Sequence, residues 1–129
     1  MTNKPAVILL AHGSRDPHWV APFTVMLEQI RQQSGSTRVE LAYLELSPPS
    51  LEQMVEGLVG EGVVNIEIIP LFFAAGRHLR KDVPIKIDAL QQSFLKNGKD
   101  VKIELHSPIG LEPEVATAIS QTIHRKINQ

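Results

Sequence analysis

Hydrophobic positions along this chain fall into two alternating patterns. Short, nearly unbroken apolar runs occupy 6–11, 39–46 and 63–73. Such runs are the signature of strands buried on both faces, as in a parallel sheet. Between them, apolar residues recur every three or four positions. Trp19, Phe23, Leu27 and Ile30 form one stripe, and Leu51, Met54, Val55, Leu58 and Val59 a second. Ile87, Leu90 and Phe94 form a third, and Val115, Ile119, Ile123 and Ile127 a fourth. That spacing puts each set on one face of a helix. A fourth strand is predicted over 101–105, where Val101, Ile103 and Leu105 alternate with Lys102 and Glu104. One wet face marks an edge strand.

Prolines, glycines and capping residues set the expected boundaries. Pro22 lies too deep for a clean first turn, so the first helix is expected to begin near it, with Gly35 beyond its end. Ser47-Pro48-Pro49 opens the second helix, and Gly60 and Gly62 stop it. Asp82 followed by Pro84 reads as the start of the third, which ends at Asn97-Gly98. Pro113 starts the last. Strict alternation with short connections implies right-handed crossovers. The predicted fold is a three-layer α/β/α sandwich with a four-stranded parallel sheet in βαβαβαβα order, residues 1–129 forming a single domain.

Composition removes several functional classes. A chain of 129 residues can bury roughly two thirds of its unfolded surface. Its net charge of −1 argues against a general nucleic-acid binder, whose domain would be strongly basic. No cysteine is present, which excludes disulfides, thiolate metal sites, iron–sulfur ligation and a cysteine nucleophile. The run at 6–11 is read as a core strand and not a signal peptide. No apolar run approaches the ~20 residues of a spanning helix, so no membrane partner and a cytoplasmic location are expected.

In open parallel sheets, ligands bind at the carboxyl ends of the strands. The residues just past the four predicted strands include His12, Glu45, His78 and His106, three imidazoles and a carboxylate on one edge. Around His78 the stretch Pro70 to Pro84 turns from apolar to densely polar at Gly76, where the backbone is expected to turn sharply through positive φ. Arg77, Arg80 and Lys81 crowd that rim, joined by Arg15 from the first turn, and suit an anionic ligand. The plainer alternatives are that His12 caps a turn, that Glu45 is a solvated rim carboxylate and that the cations form an ordinary solvated face. His106 is ambiguous, because it follows the predicted edge strand; His18 and His124 read as surface residues. Gly57, Gly60 and Gly62 are in the wrong order for a dinucleotide fingerprint. Neither a phosphate-cradling Walker motif nor a Gly-x-Ser-x-Gly elbow occurs.

Three stretches, Leu-Leu-Ala-His-Gly-Ser-Arg-Asp-Pro at 9–17, Ala-Tyr-Leu-Glu-Leu-Ser-Pro-Pro-Ser-Leu at 42–51 and Pro-Leu-Phe-Phe-Ala-Ala-Gly-Arg-His-Leu-Arg-Lys-Asp-Val-Pro at 70–84, together resemble the class II tetrapyrrole chelatases. The resemblance is to the small single-domain sirohydrochlorin cobaltochelatase and ferrochelatase family, and Pro-Ile-Gly-Leu-Glu-Pro at 108–113 extends it over nearly the whole chain. It implies insertion of a divalent metal, Co²⁺ ahead of Fe²⁺ or Ni²⁺, into sirohydrochlorin or a related precursor in cobalamin- or sirohaem-type biosynthesis. It assigns His12 and His78 as metal-facing imidazoles and Glu45 as the acidic partner; because such a tetrapyrrole bears many carboxylates, Arg15, Arg77, Arg80 and Lys81 would orient it. No tightly bound cofactor is implied, the metal being a substrate. Longer relatives carry two such units, so a homodimer is implied here. The absence of a histidine-rich tail leaves the metal open. The alternative reading is a non-catalytic carrier of a metal or metallo-tetrapyrrole, and a third is a flavodoxin-like small-molecule binding module.

Overall fold

The computed structural model describes residues 5–129 and, within them, every side chain except that of His78. Four strands form one sheet: β1 (Ala6–Ala11), β2 (Val39–Tyr43), β3 (Asn65–Pro70) and β4 (Lys102–Leu105). All pairings are parallel, in the order β2-β1-β3-β4. The helices are α1 (Pro17–Gln33), α2 (Leu51–Gly60), α3 (Val83–Lys96) and α4 (Pro113–Ile127), with a π-helical turn (His78–Asp82) leading into α3 and a short 3₁₀ turn (Ile109–Leu111) before α4. The predicted sheet and its alternation with helices are present, and β4 is an edge strand as its pattern required.

Alternation along each strand divides the core in two. Ile8, Leu10, Ile66, Ile68 and Ile103 face one way and pack with Val55, Leu58 and Val59 of α2 and with Val83 and Ile87 of α3. Leu9, Ala11, Val39, Leu41 and Tyr43 face the other way, against Trp19, Phe23, Leu27 and Ile30 of α1. Ile8 and Ile68 are fully buried, and truncating one such side chain to alanine costs about 2–5 kcal/mol. The fourth stripe behaves differently. No residue of α4 is buried, and Ile123 and Ile127 stand 51% and 74% exposed.

Several boundaries depart from the sequence pattern. α1 begins at Pro17 and carries Pro22 inside it. The proline removes one backbone donor, but Pro17 at the first turn and Asp16, whose Oδ1 accepts from the His18 N–H at 2.9 Å, start the helix earlier. β2 stops at Tyr43 and β3 at Pro70, because the apolar residues beyond them pack from loops: Leu44 and Phe72 lie against the α2–α3 side of the core. α2 is capped by Ser50, not by Ser47-Pro48-Pro49. Ser50 Oγ accepts from the Gln53 N–H, and Gln53 Oε1 accepts from the Ser50 N–H at 2.9 Å. Ser50→Ala is therefore expected to lower stability by about 1 kcal/mol, read as a shifted urea midpoint with an unchanged slope. The third helix begins at Val83, directly after Asp82 and with Pro84 in its first turn as expected; because the π-helical turn runs into it, Asp82 is itself helical (φ −73°, ψ −41°). Gly76 is not a positive-φ residue, and a Cβ there would meet nothing.

Candidate active site at the carboxyl edge of the sheet

β1 and β2 leave the sheet side by side, since Ala11 is paired with Tyr43. Their exits stay bonded beyond the last ladder pair. Leu44 N–H donates to Ala11 O at 2.9 Å and Glu45 N–H to His12 O at 3.0 Å. Two residues further on, Ser14 N–H donates to Ser47 Oγ at 3.0 Å while that hydroxyl donates to Ser14 O at 2.5 Å. Gly13 makes this closeness possible. It adopts φ +102°, and a Cβ on it would stand 1.7 Å from Glu45 O. Only glycine combines that backbone conformation with so close an approach.

The two exits bring His12 Nε2 to 2.8 Å from Glu45 Oε1. A carboxylate on one ring nitrogen orients an imidazole and leaves its other nitrogen free to take a proton or a metal ion. Both side chains are about half exposed, 48% and 53%, so solvent and solutes reach them. The Phe72 ring meets His12 edge-on, with centroids 6.5 Å apart and planes at 82°. The pair borders a cavity of about 430 Å³ whose remaining walls are Leu44 and the start of α3, from Asp82 and Val83 to Ile85 and Lys86.

The residues expected at this site are therefore distributed unevenly. His12 and Glu45 are in direct contact. His78 opens the π-helical turn whose last residue, Asp82, lines the cavity; its side chain lies outside the described residues. Arg15, Arg77, Arg80 and Lys81 are all exposed, and none of them is in the cavity wall. The cation that is in the wall, Lys86, was not among the expected residues. It stands four positions after Asp82 on the same helical face, and its Nζ lies 3.5 Å from Glu52 Oε2. His106 belongs elsewhere: its Nε2 lies 2.8 Å from Oε1 of Glu67. Glu67 alternates with Ile66 and Ile68, so it faces away from the α2–α3 layer that flanks the cavity.

An imidazole–carboxylate pair with no thiolate beside it is a donor set that suits a loosely held first-row metal ion. Residues 6–126 match the CbiX family, and the chain belongs to it; its fold is that of a small class II chelatase. Among curated relatives it is similar to the sirohydrochlorin cobaltochelatase of Methanosarcina acetivorans, 28% identical over 98% of this chain and 100% of that protein. It is also similar to that of Saccharolobus islandicus, 26% identical over 95% of this chain and 96% of the other. Among solved structures, a CbiX protein from Marinobacter aquaeolei VT8 superposes with a TM-score of 0.77 at 39% identity, covering 95% of this chain and 97% of that one. The sirohydrochlorin chelatase SirB from Bacillus subtilis subspecies spizizenii, in complex with cobalt, gives a TM-score of 0.79 at 25% identity, covering 95% of this chain but only 50% of SirB.

Proposed function

We propose that this chain inserts a divalent metal ion into sirohydrochlorin or a closely related tetrapyrrole. The observation that carries the reading is the His12–Glu45 contact of 2.8 Å at the rim of an accessible cavity. Metallation exchanges two pyrrole N–H protons for one M²⁺, so the site must accept protons beside a weak metal donor. The His12–Glu45 pair supplies both in one place. His78, carried by the turn that enters the cavity wall, is proposed as the second metal-facing imidazole. Two or three protein donors suffice, since a closed four-ligand site would retain its ion. Imidazole favours Co²⁺, Fe²⁺ and Ni²⁺ over the hard cations; relatives named as cobaltochelatases and the cobalt complex of SirB support Co²⁺ as the physiological ion. SirB has also been solved with Fe³⁺, which keeps iron as the second choice. Lys86 within the wall, with Arg15, Arg77, Arg80 and Lys81 around it, would hold the peripheral carboxylates of the substrate.

Absorbance spectroscopy of sirohydrochlorin mixed with Co²⁺ tests this directly. Metallation well above the spontaneous rate is expected with the chain present. A spontaneous rate would leave only the carrier reading, in which the same residues bind a metal or metallo-tetrapyrrole without accelerating its formation. Running Co²⁺, Fe²⁺ and Ni²⁺ in competition ranks the metals.

The homodimer and a cytoplasmic setting belong to the same proposal. The chain covers half of SirB, so a second copy would supply the other half. The uncovered stripe of α4, with Phe73 at 71% exposure and Leu111 at 60%, offers the apolar surface for it; fully burying one such side chain contributes about 1.5–3 kcal/mol. Ile123→Asp is therefore expected to give a monomer in sedimentation, while the unaltered chain sediments as a dimer.

A further inference from the structure

β3 and β4 carry a cluster that the chelatase reading leaves unused. Glu67 and Glu104 are direct partners in the parallel register of the two strands. Like charges opposite one another on neighbouring strands are destabilising, and among the described residues neither glutamate has a lysine or arginine in ion-pair contact. What stands between them is His106, two residues beyond Glu104 on the same side of β4. Its backbone N–H is tied to Ile68 O at 2.9 Å, which fixes where the ring emerges, and its Nε2 lies 2.8 Å from Glu67 Oε1. One ligand atom from each of Glu67, Glu104 and His106 falls within 4.8 Å of the other two. Glu67 is half-buried, and Glu104 and His106 are exposed.

We propose that Glu67, Glu104 and His106 form a second divalent-cation site, on the sheet face opposite the cavity at His12. Two carboxylates and one imidazole offer three donors to one ion, with the remaining positions left for water. A dication bound there would cancel the repulsion between the paired glutamates and tie the edge strand β4 to β3. The single imidazole selects borderline ions such as Co²⁺, Ni²⁺ or Zn²⁺ over Mg²⁺, whose preference is for oxygen alone. Because Glu67 and Glu104 alternate away from the layer that holds Val83 and Ile87, the site shares no residue with the candidate active site. It does not depend on the assigned activity.

Calorimetric titration of the full chain with Co²⁺ separates the two sites. The test is run in a His12→Ala, His78→Ala background, so that the proposed metallation residues contribute nothing. Saturable Co²⁺ binding is expected to persist in that background, with a raised melting temperature, and Mg²⁺ is expected to produce neither. Adding Glu67→Gln and His106→Gln should abolish both effects, and Glu104→Gln alone should weaken binding. All three positions are at least partly exposed and the substitutions are isosteric or nearly so, and circular dichroism verifies that the fold is kept. No saturable Co²⁺ binding in the His12→Ala, His78→Ala background, or binding that survives the Glu67 and His106 substitutions unchanged, overturns the proposal.

Discussion

Replacing His12 with alanine is expected to slow metal insertion by roughly 10²–10⁴-fold, the usual range for loss of a positioned acid–base group, while leaving the protein folded. The second half of that expectation follows from exposure: the ring is 48% accessible, and among the described residues its ring neighbour is Phe72, met edge-on, so its removal opens no core cavity. Glu45→Gln is the informative companion. Glutamine keeps the shape and can still hydrogen-bond the imidazole, but it cannot support the positive charge that the ring acquires with a proton. A smaller loss, confined to kcat, is expected for it. The measurement is the rate of sirohydrochlorin metallation over a range of Co²⁺ concentrations, together with a thermal unfolding curve for each variant. A His12→Ala protein that is folded and metallates at the unaltered rate would remove the imidazole from the reaction.

Gly13→Ala is expected to be nearly as damaging, although alanine adds a single methyl group and no charge. At φ +102° an L-residue is strained, and left-handed backbone alone costs an alanine about 1–2 kcal/mol. The steric problem is larger. With Glu45 O only 1.7 Å from the new Cβ, the exits of β1 and β2 must separate. The 2.8 Å contact between His12 and Glu45 depends on those exits. A displacement of about 1 Å can reduce a rate about 10²-fold. Gly35 supplies the control: it too has positive φ, at +63°, but a Cβ there meets nothing within 4 Å. Gly35→Ala should therefore show a modest loss of stability with normal activity. Equal activity in the two variants would mean that the glycine at 13 serves the turn alone.

The interior of this fold is legible at β1 and β2, because strands buried on both faces leave no polar alternation to misread. The strand ends are not, since apolar character continues past the last ladder bond: Leu44 and Phe72 are loop residues that still pack on the core, and hydrophobicity does not distinguish a strand from a loop folded under it. Pro22 suggests a start for α1 near itself, whereas the Asp16 cap and Pro17 carry the stronger start signal. At the site, the rule that chemistry collects at strand exits found His12 and Glu45 together. It could not find Lys86, which reaches the cavity through helix geometry from four residues beyond Asp82. Nor could it assign His106, whose partner Glu67 is 39 positions away and becomes a neighbour only through the register of β3 with β4. The glycine that mattered was also displaced, from Gly76 to Gly13. Positive φ and crowding depend on where two loops meet, and a single loop's composition does not contain that information.

Phe72 and Phe73 connect the site to the lead-in of the last helix. Phe72 lies against the His12 ring, and its carbonyl accepts from Gly110 N–H at 2.9 Å. Gly110 in turn sits so close to Phe73 that a Cβ would be 2.4 Å from that residue's Cα and O. Gly110 is two residues ahead of Glu112, which leads into α4. The lead-in to the last helix is thus packed on the same pair of peptide units whose Phe72 ring meets the imidazole edge-on, so a shift of those units would alter both contacts.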